Sequence, residues 1–180
     1  IFVKDLIGTT EFTGFPILVE SGDITVSNLP ILQDIGAFPA LKTLGFASSL
    51  ELKDLPGLVH VTGFGALELV NSEIILDSLG SLTSLSFLGK VVEVGYKLKI
   101  IRCHALTSLD ELAAIEDIHW LVLTENLQLQ DISALIDVDF GIAYAIEAEN
   151  NPRLCDNHVQ QVAQDASTLC ACNNNGTLCP

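Results

Sequence analysis

Carboxylates set on a flat surface can cleave polysaccharides, because two of them roughly 5 to 9 Å apart share acid and base work across one glycosidic bond. Glu147 and Glu149, two residues apart in Ala145-Ile146-Glu147-Ala148-Glu149, pass that spacing test. On an extended strand they share a face about 6.5 Å apart. Nothing basic stands beside them to orient a substrate, so the pair reads as a solvated acidic face. The four histidines, His60, His104, His119 and His158, fall at unrelated positions, with no His-x-x-x-His pair to hold a metal. Gly63-Phe64-Gly65 lacks the lysine and hydroxyl of a phosphate loop. No Asp-x-Asp-x-Asp run offers calcium a loop. The chain is therefore expected to have no catalytic residue, metal or cofactor.

The thiols are the other reactive set. Of the five cysteines, Cys155, Cys170, Cys172 and Cys179 lie within the last 26 residues, where two disulfides have three pairings open to them. Cys170-Ala171-Cys172 is too close for an easy mutual bridge, so each should pair elsewhere. The clustering favours an oxidising compartment. Zinc is the competing use of the four thiols, but their spacing does not resemble two C-x2-4-C knuckles. Cys103 is left over, and its neighbour His104 points the other way on a strand, so the thiol reads as structural. Asn175-Gly176-Thr177 is a glycan acceptor, with Asn175 the expected site of attachment.

The charge balance narrows the partners. Eight Lys and Arg stand against 23 Asp and Glu, giving a formal net charge of −15. Such a chain repels phosphate backbones, and no basic patch offsets this, so nucleic acid is not an expected partner. Apolar runs such as Ile74-Ile75-Leu76 are too short for direct membrane insertion. With no Met anywhere and Ile at position 1, the numbering reads as starting inside a longer precursor. Surface anchoring would then come through segments outside this chain.

The element that must position all of these is a repeat. Ile24, Leu50, Ile74, Leu98, Leu121 and Ile146 each open a short apolar pair, at spacings of 26, 24, 24, 23 and 25 residues. The second member follows two places on, from Val26 to Ala148, so each pair reads as one strand face. The apolar period then changes to three, as in Leu58, Val61, Phe64, Leu67 and Val70, until it fails at Gly141. Upstream, Leu6, Phe12, Phe15 and Leu18 fit an earlier coil whose opening strand is missing or irregular. Five to six coils of about 24 residues are predicted, each too thin to be stable without its neighbours. One helical turn is predicted from Ser108, a possible cap, through Glu116. At the fifth place after each origin, Cys103 and Asn126 are suited to pair with backbone that turns inward.

Two outward columns follow from the same register: Thr25, Glu51, Ile75, Lys99, Val122, Glu147, and Ser27, Lys53, Asp77, Ile101, Thr124, Glu149. Ile75, Ile101 and Val122 form an apolar stripe on the exposed side, rimmed by Lys53, Asp77, Lys99 and Thr124, and together these seven are the candidate binding face. Trp120 is expected at a packed corner just before a strand.

The coil length, strands such as Leu98-Lys99-Ile100, the run Leu106-Thr107-Ser108-Leu109-Asp110-Glu111-Leu112 and the ending Asn150-Asn151-Pro152-Arg153-Leu154-Cys155 resemble the receptor L-domain family over residues 12 to 172. These are leucine-rich, right-handed parallel β-helical domains of insulin and growth-factor receptor ectodomains and related surface proteins. The resemblance implies a C-terminal helix that closes the solenoid through a disulfide. Here Asp156 would cap that helix, Val159, Val162, Ala163, Ala166 and Leu169 would form its apolar side, and Cys155 would bond Cys170. It implies no catalytic residue. The chain lacks the family's second L domain, cysteine-rich domain and kinase, so hormone binding does not carry over.

The expected architecture is thus an all-β-rich solenoid over 1–154 with a helical, cysteine-bearing cap and tail over 155–180. The expected function is noncatalytic recognition or adhesion, secreted or at the cell surface, with an extracellular protein or glycan as partner. A structural spacer or wall component is the alternative, and a carbohydrate-active β-helix enzyme ranks third.

Overall fold

A computed structural model of the chain describes residues 1–140, 145–165, 169–173 and 175–176. Eight parallel strands build one ladder: β1 (Phe2–Lys4), β2 (Ile24–Ser27), β3 (Leu50–Lys53), β4 (Glu73–Asp77), β5 (Glu93–Ile101), β6 (Asp117–Thr124), β7 (Ala145–Glu149) and β8 (Leu169–Asn173). The six repeat origins pair with one another in this ladder, Ile24 with Leu50, Leu50 with Ile74, and so on to Leu121 with Ile146. All twelve side chains of the origin pairs are fully buried. The alternation of two therefore places one residue in the core and the next on the outer face, and stacking removes the apolar edge from water.

The period of three bends the rest of each coil into shorter sides. Glu20–Ser21, Thr43–Leu44 and Leu69–Val70 form a second parallel strip that runs into the first residues of β5 and β6. Glu11–Phe12 and Asp34–Ile35 start a third, which His60 extends by a bridge to Asp34. Two kinds of corner join these sides. After each strand a residue takes the left-handed conformation: Asn28, Asp54, Ser78, Arg102, Glu125 and Asn150 have φ between 52° and 59°. Each donates its N–H to the next coil, as Asn28 does to Lys53 O at 3.1 Å, so the turn keeps the ladder's spacing. At another corner Phe15, Phe38 and Phe64 are left-handed too, and their rings meet at 4.9 and 5.2 Å between centroids, the first pair stacked and the second tilted. Later coils replace this corner with 3-10 turns at Ser86–Leu88, Asp110–Leu112 and Ser133–Leu135. Tight stacking requires glycine at position 63, where a Cβ would fall 1.8 Å from the Ala37 carbonyl oxygen.

Several expectations are corrected. Eight ladder strands bound seven coils, rather than five to six, because a strand was added at each end. The opening strand of the first coil is β1; its inward residue, Val3, lies between exposed Phe2 and Lys4, too short a pattern to register as a pair. At the other end Leu169 belongs to β8 and not to the helix. The ladder thus continues past residue 154. The helical turn near Ser108 is a 3-10 turn preceded by Leu109 without a side-chain cap; the Ser108 hydroxyl instead donates to Asp110 Oδ2 at 3.0 Å.

The helix α1 (Asp156–Asp165) lies between β7 and β8, with Val159, Val162 and Ala163 buried in the core. His158 Nδ1 stands 3.5 Å from Asp131 Oδ1, whose carboxyl is held below its ordinary value chiefly by the Ser133 backbone N–H. Cys155 is buried and bridges through its backbone to Gly176. The side chains of Cys170 and Ala166, the break at Gly141 and all of Cys179 lie outside the described residues, and with them the pairing expected of the cap. Among the described residues no helix is long and apolar enough to cross a membrane.

Candidate binding face and the polar ladder behind it

The outer face of the ladder is a grid whose columns are set by strand register. One column runs Thr25, Glu51, Ile75, Lys99, Val122, Glu147, and the next runs Ser27, Lys53, Asp77, Ile101, Thr124, Glu149. All seven expected face residues therefore meet on one surface, in neighbouring places. A third column, Glu73, Lys97, Trp120, was not anticipated. A register shift between Val94 and Lys97 precedes it, and an irregularity of that kind leaves no mark in a count of residues.

Burial corrects the expected apolar stripe. Ile75 and Val122 are each only 7% exposed, and Ile101 is half-buried. Each buried aliphatic stands between longer side chains of its column, Ile75 between Glu51 and Lys99, Val122 between Lys99 and Glu147. These neighbours, about 4.8 Å away, close over it. The surface offered to a partner is thus mostly the charged and aromatic tips.

Those tips are ordered by one another. Lys53 Nζ lies 2.9 Å from Glu51 Oε2, Lys99 Nζ 3.9 Å from Glu73 Oε2, and Arg102 pairs with Asp77 at 2.5 Å. Arg102 Nε also donates to Ser78 Oγ at 3.0 Å. Lys97 Nζ sits 3.7 Å from the centroid of the Trp120 ring and 5.1 Å from that of Tyr96, a cation–π arrangement. The two rings meet edge to face at 6.3 Å. Trp120 is accordingly a member of β6 on the sheet, not a corner residue, and Lys97 covers one face of its ring.

The face is also electrically distinct. The three columns hold four cations, Lys4, Lys53, Lys97 and Lys99, against five carboxylates, Glu51, Glu73, Asp77, Glu147 and Glu149, a net charge of −1, and the adjoining corner column holds Arg102 with Asp5, Asp54 and Glu125. The other four cations and eighteen carboxylates of the chain carry −14 of its net charge of −15. Glu147 and Glu149 have Val122 and Thr124 as ladder partners in β6, so no second carboxylate faces them across that pair of strands. Among the described residues no three His, Cys, Asp or Glu side chains converge on a metal-sized site.

Behind one corner of the face runs a buried polar ladder. Asn126 Oδ1 accepts from Cys103 N at 3.0 Å, and its Nδ2 donates to Ile100 O at 2.8 Å. One coil on, Asn151 repeats this with Asn126 N at 2.9 Å and Leu123 O at 2.9 Å. Asn175 repeats it again with Asn151 N at 3.3 Å and Ala148 O at 2.8 Å. Cys103 holds the same place one coil earlier, with Sγ 3.6 Å from Leu76 O and a bond from the Leu79 backbone. Burial pushes its thiol up to about 12. Cys103 is therefore a free, structural thiol, as expected. Asn175 stands differently from its expected role: the nitrogen to which a glycan would be joined is bonded inside the fold, and Thr177 lies outside the described residues. Its place in the ladder was readable only once residues 126, 151 and 175, 25 and 24 apart, were aligned at the fifth place of their coils. In comparisons with known proteins, no protein-family model, no curated protein sequence and no solved structure matches this chain.

Proposed function

We propose that the chain is a noncatalytic recognition module of a secreted or surface-displayed protein, and that it binds a protein partner through the outer face of the β1–β8 ladder. The observation that carries this is the charge map: a sheet face whose three columns sum to −1 lies on a solenoid whose other residues hold −14. The acidic remainder repels acidic surfaces and orients approach, while the face carries mixed charges and aromatic rings suited to specific contact. A protein partner fits better than a glycan, because Lys97 already occupies the ring face on which a sugar would stack. The terminal cysteine cluster supports the extracellular setting, and the resemblance to receptor L domains supports the class of function.

The test is a binding screen against extracellular proteins from the same source, run with Lys97→Glu and Ile101→Asp variants. A saturable partner whose affinity falls at least about tenfold in both folded variants supports the reading. Binding that neither variant changes moves the contact elsewhere, and no binding at all leaves the solenoid as a spacer.

A further inference from the structure

Sequence and stacking together force a reactive dipeptide at the third asparagine of the polar ladder. Asn175-Gly176 is the single Asn-Gly pair of the chain. The rung uses the first residue, whose amide accepts from Asn151 N and donates to Ala148 O. Stacking requires the second, because a Cβ at position 176 would lie 2.7 Å from Pro152 O and 3.2 Å from Leu154 O, both of them backbone atoms. Only glycine fits there.

Asparagine is chemically labile, most of all before a residue with no side chain to crowd the next backbone nitrogen. The Gly176 nitrogen gives up its proton and bonds to Asn175 Cγ, the Cγ–Nδ2 bond breaks, and Nδ2 leaves as ammonia. Water then opens the five-membered imide at either carbonyl, which leaves aspartate or isoaspartate at position 175. Water is the only co-reactant. Asn175 is also the rung with the weakest hold: it is half-buried where Asn126 and Asn151 are fully buried, and its contact with the backbone N–H of the preceding coil is 3.3 Å against 3.0 and 2.9 Å. Local opening costs least where contacts are exposed and few.

We propose that Asn175 is a site of spontaneous deamidation, which the rung holds shut and which its own products hold open. In the closed rung every atom that must move is engaged. Oδ1 accepts from Asn151 N at 3.3 Å and Asn151 Nδ2 at 3.1 Å, Nδ2 donates to Ala148 O at 2.8 Å, and the Gly176 backbone bridges to Cys155. Turning the carboxamide onto the Gly176 nitrogen breaks these bonds, so the attack geometry forms only when the coil opens. After reaction the aspartate has no hydrogen to give Ala148 O and sets a carboxylate against that carbonyl. Isoaspartate instead lengthens the backbone by one carbon beside the bridge to Cys155. Neither product rebuilds the rung. The modification therefore records, without return, that this coil has opened, and it does so whatever the outer face binds.

The test compares the intact chain, folded and in guanidinium chloride, at one temperature and neutral pH. Mass spectrometry of the peptide holding residues 175 and 176 follows the exchange of amide for acid, and labelling by an isoaspartyl methyltransferase separates the two products. The folded chain should react at least about tenfold more slowly than the unfolded one. Asn175→Asp copies one product. It should speed hydrogen exchange of the Asn151 amide at least about tenfold while the Cys103 amide, two rungs away, stays as protected as in the parent. Equal deamidation rates in the two states, no reaction in guanidinium, an Asn151 amide unchanged by Asn175→Asp, or protection lost at Cys103 as well would each overturn the proposal.

Discussion

Replacing Asn126 by Ala tests the polar ladder at its first asparagine. Asn126 is fully buried, and its side chain serves two backbone groups, Cys103 N–H at 3.0 Å and Ile100 C=O at 2.8 Å. Alanine removes both partners and supplies no water in their place. A buried polar group left unpaired costs about 1–3 kcal/mol, so the two together cost about 2–6 kcal/mol, partly relieved if a water molecule enters. Against a domain stability of about 5–15 kcal/mol this is a large fraction. With a urea slope of about 2 kcal/mol per molar, the unfolding midpoint should fall by about 1–3 M. Asn126→Asp sharpens the test, because it keeps the acceptor and loses the donor. Its carboxylate would be buried facing a carbonyl, which raises the folded-state pKa above the unfolded value. The variant should then be most stable at low pH and lose stability as pH rises through the unfolded and then the folded pKa. The assay is urea unfolding followed by circular dichroism, with hydrogen exchange of the Cys103 amide as the local readout. A loss under about 1 kcal/mol in Asn126→Ala, with that amide still protected, would refute the claim that the ladder satisfies otherwise orphaned backbone.

Three further outcomes are expected. The Cys103 thiol, buried and raised to about 12, should resist a disulfide reagent at pH 8 in the folded protein and react on unfolding. Because its folded pKa exceeds the unfolded one, the thiol's contribution to stability is complete at neutral pH and declines above about pH 9. Glu125 is exposed with φ 58°; Glu125→Gly relieves about 1–2 kcal/mol of left-handed strain at a cost of about 0.5–1 kcal/mol in chain entropy. Thermal unfolding should therefore show a net gain of about 0.5–1 kcal/mol. Asn175 has its amide nitrogen bonded to Ala148 O, so a secreted preparation should show no mass loss at this site on glycosidase treatment, and a fully occupied site with unchanged stability would contradict the rung.

The repeat was legible because burial in a solenoid is periodic: the same places face the core in every coil, from Ile24 to Ile146. The left-handed corner was visible as a column of residues but not as a conformation, since Arg102 and Glu125 carry none of the usual preference for that region. Trp120 was misplaced because its strand begins three residues before it, beyond a register shift in the neighbouring strand. Ile75 and Val122 were read as exposed from parity alone, which fixes the face of a residue and says nothing of what its neighbours cover.

From the sequence alone followed the solenoid, its coil length, the inward residues and the structural role of Cys103 and Asn126, because each rests on local alternation and on one repeated burial requirement. The tertiary structure decided what joins residues about 24 positions apart: the ion pairs and cation–π contact of the outer face, the burial of Ile75 and Val122 on it, and the capture of Asn175. Those depend on stacking register, and register is set by the summed packing of all the coils rather than by any one of them.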